Sequence, residues 1–600
     1  MTLDDPSISR PMSPAGMGPW GSQTVRLLVD VARMPENDDD TRIAAIRRLA
    51  TMAEDYCNCC STSEHAGAGQ GRHRRRIELF DECGAIAMWC SLCGPAHPIV
   101  VRQAAVTAIG NVATFSNGAT EVLVMRGCIE ALMTLLVSDV DAGTPEGEDA
   151  VYAALDALAN QFGAGPSSGP LKGTLLALTA RPSLERLVEL SKSTAVRVAE
   201  TSGWLLCLLS TNAETSHDAL AHSGMLPAII CYGGRGTPQA QEEASWALAS
   251  LLAEATPADE IAELDSCYDL LLELVVSGCT AARVQASWAL ANLSLHPVGQ
   301  QRLAERSSVA PLVEAIRARE EEEELLHQAA RALGSILLLP AGRKQLLALE
   351  EGSMRTGTPG ALEMLLVLSS HTVPAIGDAA MRASIHASIR PCSAAAHIVA
   401  LDRGMARLCE MLEPMHTLKR QRMTVSALAH LAFAARAAVL NQPEGASPSL
   451  KRFEPLQHVA PHEMDLRRLA LCAAPLVAFI SACECSNTLA QAAAVIANLS
   501  QCHTNGGEDD HVAVHIARAG ALPVLKLLSE SENPQLRLAG HAALESVSSC
   551  LTPQSRRLFR PAPGGKRERR RSILSKNAPC VTLPRTTGLD QAHDVVLNVI

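Results

Sequence analysis

In the segment Val284–Ser294, VQASWALANLS, the apolar residues Ala286, Leu290 and Leu293 fall on one side of a helix, while Gln285, Trp288 and Asn292, at i, i+3 and i+7, share another. The first stripe predicts a packing face, and the second a large aromatic between two amides on the opposite face. The pattern recurs. Glu200–Leu209 (ETSGWLLCLL) and Glu242–Leu251 (EEASWALASL) align with it so that Trp204, Trp246 and Trp288 stand 42 residues apart; His327–Ile336 (HQAARALGSI) follows at 43 with Arg331 in the Trp place. Self-similarity at a fixed period of this length is the signature of a repeat array. Weaker copies extend it both ways, at Gln103–Val112, Ala153–Gln161, Thr424–Ala432 and Ala490–Ser500, with Arg47–Met52, Ala383–Ser388 and Ala542–Val547 the most degenerate.

A Gly followed by an apolar stretch supplies a second landmark, at Gly84, Gly127, Gly224, Gly404 and Gly520. Gly there can close one helix in the left-handed conformation, and a Pro such as Pro227 or Pro523 can sit in the first turn of the next. Each unit is thereby predicted to hold a short first helix, a Gly corner, a middle helix such as Leu522–Leu528, a polar loop such as Glu530–Pro534, and a longer last helix. None can bury its apolar stripe alone, so the units must stack around one core. The predicted fold is all-α, a solenoid of about eleven three-helix repeats over residues 21–550. Residues 1–20 read as a disordered tail and 551–600 as a basic, largely disordered one. Loop insertions rich in Gly, Pro, Ser or charge are expected near 55–76, 139–148, 163–173 and 441–465.

Composition supports this reading. Hydrophobic residues make up 47% of the 600 and aromatics 3%; Ala and Leu, the best helix formers, dominate, which excludes wholesale disorder and disfavours sheets. The net charge of −11 argues against a nucleic-acid partner. The 19 cysteines are scattered, as buried thiols are in a reducing compartment. No secretory signal is visible, and no apolar run approaches the roughly 18 to 20 residues of a membrane span. A cytoplasmic or nuclear protein without integral membrane association is expected.

VQASWALANLS and the run Arg518–Ser531, RAGALPVLKLLSES, resemble the armadillo-repeat family, and the resemblance spans nearly the whole chain, from about Thr24 to Cys550. It implies a right-handed superhelix whose last helices line a concave groove, used by known members to bind extended peptides or partner helices. The similarity to importin-alpha-type and catenin-type members is distant. In importin-alpha adaptors Trp and Asn recur together, four apart, over successive repeats and bind basic nuclear-localisation signals. Here Trp288 and Asn292 reproduce the pair. Ser250 and Leu208 follow Trp246 and Trp204, while Thr107, Asp156 and Ala494 stand where Trp would precede Asn111, Asn160 and Asn498. The N-terminal tail is acidic, unlike the Arg-rich importin-beta-binding segment of those adaptors.

The candidate groove residues are therefore Trp204, Trp246, Gln285, Trp288, Asn292, Asn111, Asn160 and Asn498. A ladder of Trp faces makes slots for Lys and Arg side chains, and Asn amides can bridge the N–H and C=O of an extended chain. The bland alternatives are Trp packing against the adjacent repeat and Asn satisfying backbone groups at loop junctions. Helices about 8 to 10 Å apart face about three residues of an extended chain each, so the three-Trp stretch matches roughly nine ligand residues.

The tail carries Lys566, Arg567, Arg569, Arg570 and Arg571, followed by Ser572 as a candidate phosphosite. This cluster reads as a solvated disordered tail, with a nuclear-localisation signal and an autoinhibitory segment as the functional alternatives. The Glu320–Glu324 run reads as a solvated helix start that could attract basic segments. Catalytic signatures are lacking. The C-x-x-C of Cys90 and Cys93 has no second pair, His462-Glu463 lacks the later zinc-binding His because residue 466 is Leu, and Gly565-Lys566 lacks the rest of a phosphate loop. Neither catalysis, cofactor nor metal is expected. The expected function is a non-enzymatic protein–protein interaction scaffold binding an extended or helical segment along its groove, a basic one among the options. The alternatives are an importin-alpha-like adaptor for basic cargo and a regulatory or substrate-recruiting subunit of a larger complex.

Overall fold

The computed structural model describes residues 19–58, 77–113, 122–137, 144–163, 180–211, 224–253, 258–318, 322–389, 395–440, 466–502 and 511–552, isolated positions within these spans excepted. The chain divides into two compact units, Met1–Leu303 and Ala304–Ile600. Among the described residues all regular structure is helical.

In the first unit, middle and last helices alternate: α1 (Pro19–Arg33) with α2 (Asp39–Asn58), α3 (Ala85–Leu92) with α4 (Ile99–Ala113), α5 (Cys128–Val137) with α6 (Pro145–Gly163), α7 (Arg181–Leu190) with α8 (Val196–Ser210), α9 (Met225–Gly233) with α10 (Pro238–Leu251), and α11 (Asp265–Ser277) with α12 (Thr280–Leu293). The boundary falls inside α13 (Pro297–Glu305). The second unit continues with α14 (Val309–Ala318) and α15 (Glu323–Ile336), then α16 (Pro340–Thr356), α17 (Ala361–Ser369) and α18 (Pro374–Ser388). After α19 (Gly404–Glu410) and α20 (Leu418–Leu440) come α21 (Leu466–Leu469), a 3₁₀ turn over Ala470–Cys472, α22 (Ala473–Ala482) and α23 (Ser486–Ser500), and finally α24 (Val512–Arg518), α25 (Ala521–Ser529) and α26 (Pro534–Cys550). Each repeated segment recognised in the sequence lies in a last helix.

Local signals explain the corners. Gly84, Gly127, Gly224 and Gly520 adopt φ of 78°, 77°, 78° and 86°, the left-handed geometry expected of them. Gly404 does not join them. It opens α19, and an added Cβ would collide with the Ile398 carbonyl, so close backbone approach rather than helix termination demands glycine there. Pro238 and Pro534 begin last helices, capped by Thr237, which accepts from Ala240 N, and Asn533, which accepts from Gln535 N and Leu536 N.

Within each unit successive last helices pack closely on one another, through fully buried Ala and Leu such as Ala247, Leu248, Ala286, Leu290 and Leu293. Middle helices form the other layer. The fourth residue of three last helices is a buried arginine: Nε of Arg42, Arg102 and Arg283 donates to the carbonyls of Ala32, Cys93 and Val275 at 3.1 to 3.2 Å. These carbonyls end the preceding middle helices and would otherwise lack donors.

Helix α1 begins inside the expected N-terminal tail. Helices α2 and α6 occupy 55–58, 145–148 and residue 163, which had read as insertion. Apart from Thr144, the rest of those insertions, 441–465 and nearly all of both tails lie outside the described residues.

Candidate functional site

On the first unit's last helices, the face turned away from the packing stripe gathers aromatic and acidic side chains. Trp246 is 42% exposed, while Trp204 and Trp288 are half-buried. All three reach the surface of this layer, unlike Trp89, which is fully buried against Phe80. One turn before the Trp position, α8 carries Glu200 and α10 carries Glu242 and Glu243, exposed or half-buried. No cation among the described residues pairs with any of these three carboxylates. Burial raises the Glu243 carboxyl above its ordinary range, and Glu242 adds to the rise. Trp204 Nε1 makes no hydrogen bond of good geometry, yet sits close enough to Glu243 to oppose it.

One slot of this kind is already filled from within the chain. Arg197, on α8, places its guanidinium carbon 5.0 Å over the Tyr152 ring of α6 and bonds Glu148 at 3.2 Å and Asp149 at 2.9 Å. It shows what the surface does with a cation: an aromatic face beneath, carboxylates at the head. Neither Tyr152 nor these carboxylates stood out in the sequence, although Glu200 and Glu242 each lie four residues before a Trp.

The amides are engaged differently. Asn292 is 6% exposed, and its Nδ2 donates to Ala249 O of the preceding last helix at 3.1 Å. Asn498 accepts from Arg436 Nη1 at 2.9 Å, Asn160 donates to Asp156 within its own helix at 3.1 Å, and Asn111 is half-buried. Burial raises the Asp156 carboxyl, with the Asn160 amide opposing. Gln285 Oε1 is buried without a partner. The structure therefore brings Trp204, Trp246, Gln285 and Trp288 onto neighbouring helices of one layer, with Asn292 tying two of those helices together.

That tie recurs and sets the register where the sequence is degenerate. His386 Nδ1 lies 2.6 Å from Gly334 O, and Ser546 Oγ donates to Ala497 O at 3.0 Å, each matching Asn292 to Ala249. His386 thus occupies the Asn position of α18, and Arg382, four residues earlier, the Trp position. In the second unit the ladder position consequently carries Arg331 on α15 and Arg382 on α18, with Ala494 there on α23. Both arginines are half-buried. Arg331 donates to Gln328 Oε1 at 3.0 Å, and Gln328 in turn to Glu324 Oε1 at 2.7 Å; burial and then the Arg382 charge depress the Arg331 guanidinium, with Glu324 opposing. Arg382 makes no hydrogen bond or ion pair among the described residues.

Glu323 and Glu324 open α15, as the acidic run suggested. Lys566, Arg567, Arg569, Arg570, Arg571 and Ser572 lie outside the described residues. Among those described, no three His, Cys, Asp or Glu side chains are placed to hold a metal ion, and no single helix is long and apolar enough to cross a membrane.

No protein-family model and no curated protein sequence matches the chain. Solved structures do. A structure from work on a phosphorylation switch controlling the interaction between cadherin and beta-catenin aligns with TM-score 0.56 and 16% identity, covering 88% of this chain and 91% of that one. An engineered protein aligns with TM-score 0.51 and 20% identity, covering 88% and 99%. At such identities the likeness shows the fold alone: an all-α solenoid of stacked helical repeats.

Proposed function

We propose that this protein is an armadillo-type, non-enzymatic interaction scaffold whose first unit binds a basic, extended segment of a partner protein across α8, α10 and α12. The observation that carries the reading is the set of carboxylates with no cationic partner among the described residues, Glu200, Glu242 and Glu243, one helical turn from half-exposed Trp204 and exposed Trp246. Lys or Arg stems would lie on the indoles with their charged heads over the carboxylates, as Arg197 lies on Tyr152. The fold's likeness to structures of interaction scaffolds supports a binding role.

Fluorescence polarisation with a Lys/Arg-rich peptide of roughly nine residues tests this. Binding that weakens about 10-fold in Glu242→Gln/Glu243→Gln is expected. Equal affinity in that double variant, or equal affinity for an acidic peptide of the same length, would overturn it. The adaptor and recruiting-subunit readings share this surface and differ only in what else the scaffold carries.

A further inference from the structure

Two cysteines of successive repeats meet in the first unit's middle-helix layer. Cys90 lies in the last turn of α3, and Cys128 is the first residue of α5, directly after the left-handed Gly127. Their Sγ atoms stand 3.3 Å apart. A disulfide needs about 2.05 Å, so bonding requires the two sulfurs to close a gap of roughly 1.2 Å. Cys128 is fully buried, whereas Cys90 is half-buried and so reachable by a small oxidant. The contact with Cys128 lowers the Cys90 thiol below its ordinary range against the effect of burial, while Cys128 itself is pushed up. The accessible sulfur thus has a second thiol already seated against it. A second contacting pair, Cys409 with Cys472, is 8% and 0% exposed and closed to an oxidant from both sides.

We propose that Cys90 and Cys128 form a peroxide-sensitive, reversible cross-link that fastens α3 to α5, and with them two consecutive repeats. The Cys90 thiolate attacks one oxygen of hydrogen peroxide, forming an S–O bond as the O–O bond breaks and releasing hydroxide. The product is the Cys90 sulfenic acid. Cys128 sulfur then attacks the Cys90 sulfur; the S–S bond forms, the S–O bond breaks, and the Cys128 proton leaves with the hydroxyl as water. Overall two thiols and one peroxide give one disulfide and two waters, the thiols losing two electrons to the peroxide. A dithiol reverses the step by thiol–disulfide exchange and is itself oxidised.

The test uses the full chain treated with hydrogen peroxide, blocked with N-ethylmaleimide and digested without reductant before mass spectrometry. Expected is a peptide pair joined through Cys90 and Cys128, lighter by about 2 Da than the two thiols and separated by dithiothreitol. In Cys128→Ser, Cys90 should stop at the sulfenic acid and react with dimedone. In Cys90→Ser the cross-link is lost and Cys128 stays unlabelled. A wild-type chain whose Cys90 is trapped by dimedone without cross-linking would overturn the proposal. So would a chain that resists oxidation there while exposed Cys231 is modified. Circular dichroism separates either result from misfolding of a variant, and Cys128→Ala repeats the test if the serine variant unfolds.

Discussion

The last-helix layers of the two units share a register and differ in charge. In the first, α8, α10 and α12 carry Trp204, Trp246 and Trp288 at the ladder position with Glu200, Glu242 and Glu243 a turn away, after Thr107 and Asp156 in earlier repeats; in the second, α15 and α18 carry Arg331 and Arg382 there, and α23 carries Ala494. The tie beneath is common to both: Asn292 to Ala249 in one unit, His386 to Gly334 in the other. At these helices one position joins the stack, while the residue four earlier changes from Trp288 to Arg382.

This separation can be broken experimentally. Reversing the acidic face with Glu200→Lys/Glu242→Lys/Glu243→Lys should reduce affinity for a basic peptide about 100-fold by calorimetric titration, because three attractive charges become repulsive. Helical content should be unchanged. Trp246→Ala with Trp288→Ala should weaken the same peptide about 10-fold, the scale of losing two cation–π contacts. A smaller effect sharpens the contrast: Arg331→Gln/Arg382→Gln should leave basic-peptide affinity at the first unit within about two-fold, while thermal stability holds or rises as a like-charge contact disappears.

Stability should respond elsewhere. Arg283→Met strands the Val275 carbonyl and should cost about 1 to 3 kcal/mol in urea unfolding of the first unit. The pH dependence has a definite sign. A basic ligand needs Glu243 ionised, and its carboxyl is raised, so binding weakens as pH falls and begins to do so at a higher pH than for an ordinary Glu. In Glu243→Gln that early loss should vanish from a pH titration of affinity.

Much of the fold was legible because stacking enforces a repeat. The spacing of Trp204, Trp246 and Trp288 and the left-handed glycines Gly84, Gly127, Gly224 and Gly520 were readable directly, since each answers a local steric demand. Gly404 misled, because crowding against a carbonyl and helix termination call for the same residue. The candidate site was half legible. Trp positions repeat, but whether Asn292 faces a ligand or a neighbouring carbonyl depends on the distance between two helices, which no single segment encodes. The cation slot joins Arg197 to Tyr152, Glu148 and Asp149, 45 or more positions earlier in a weakly conforming repeat. Arg382 is assigned to the ladder only by the bond of His386 to Gly334.

The most direct measurement is hydrogen–deuterium exchange of the full chain with and without a Lys/Arg-rich peptide. The account predicts protection concentrated in α8, α10 and α12, with α15 and α18 unchanged. Protection confined to α15 and α18, or bound peptide with none in the Trp-bearing helices, would contradict it.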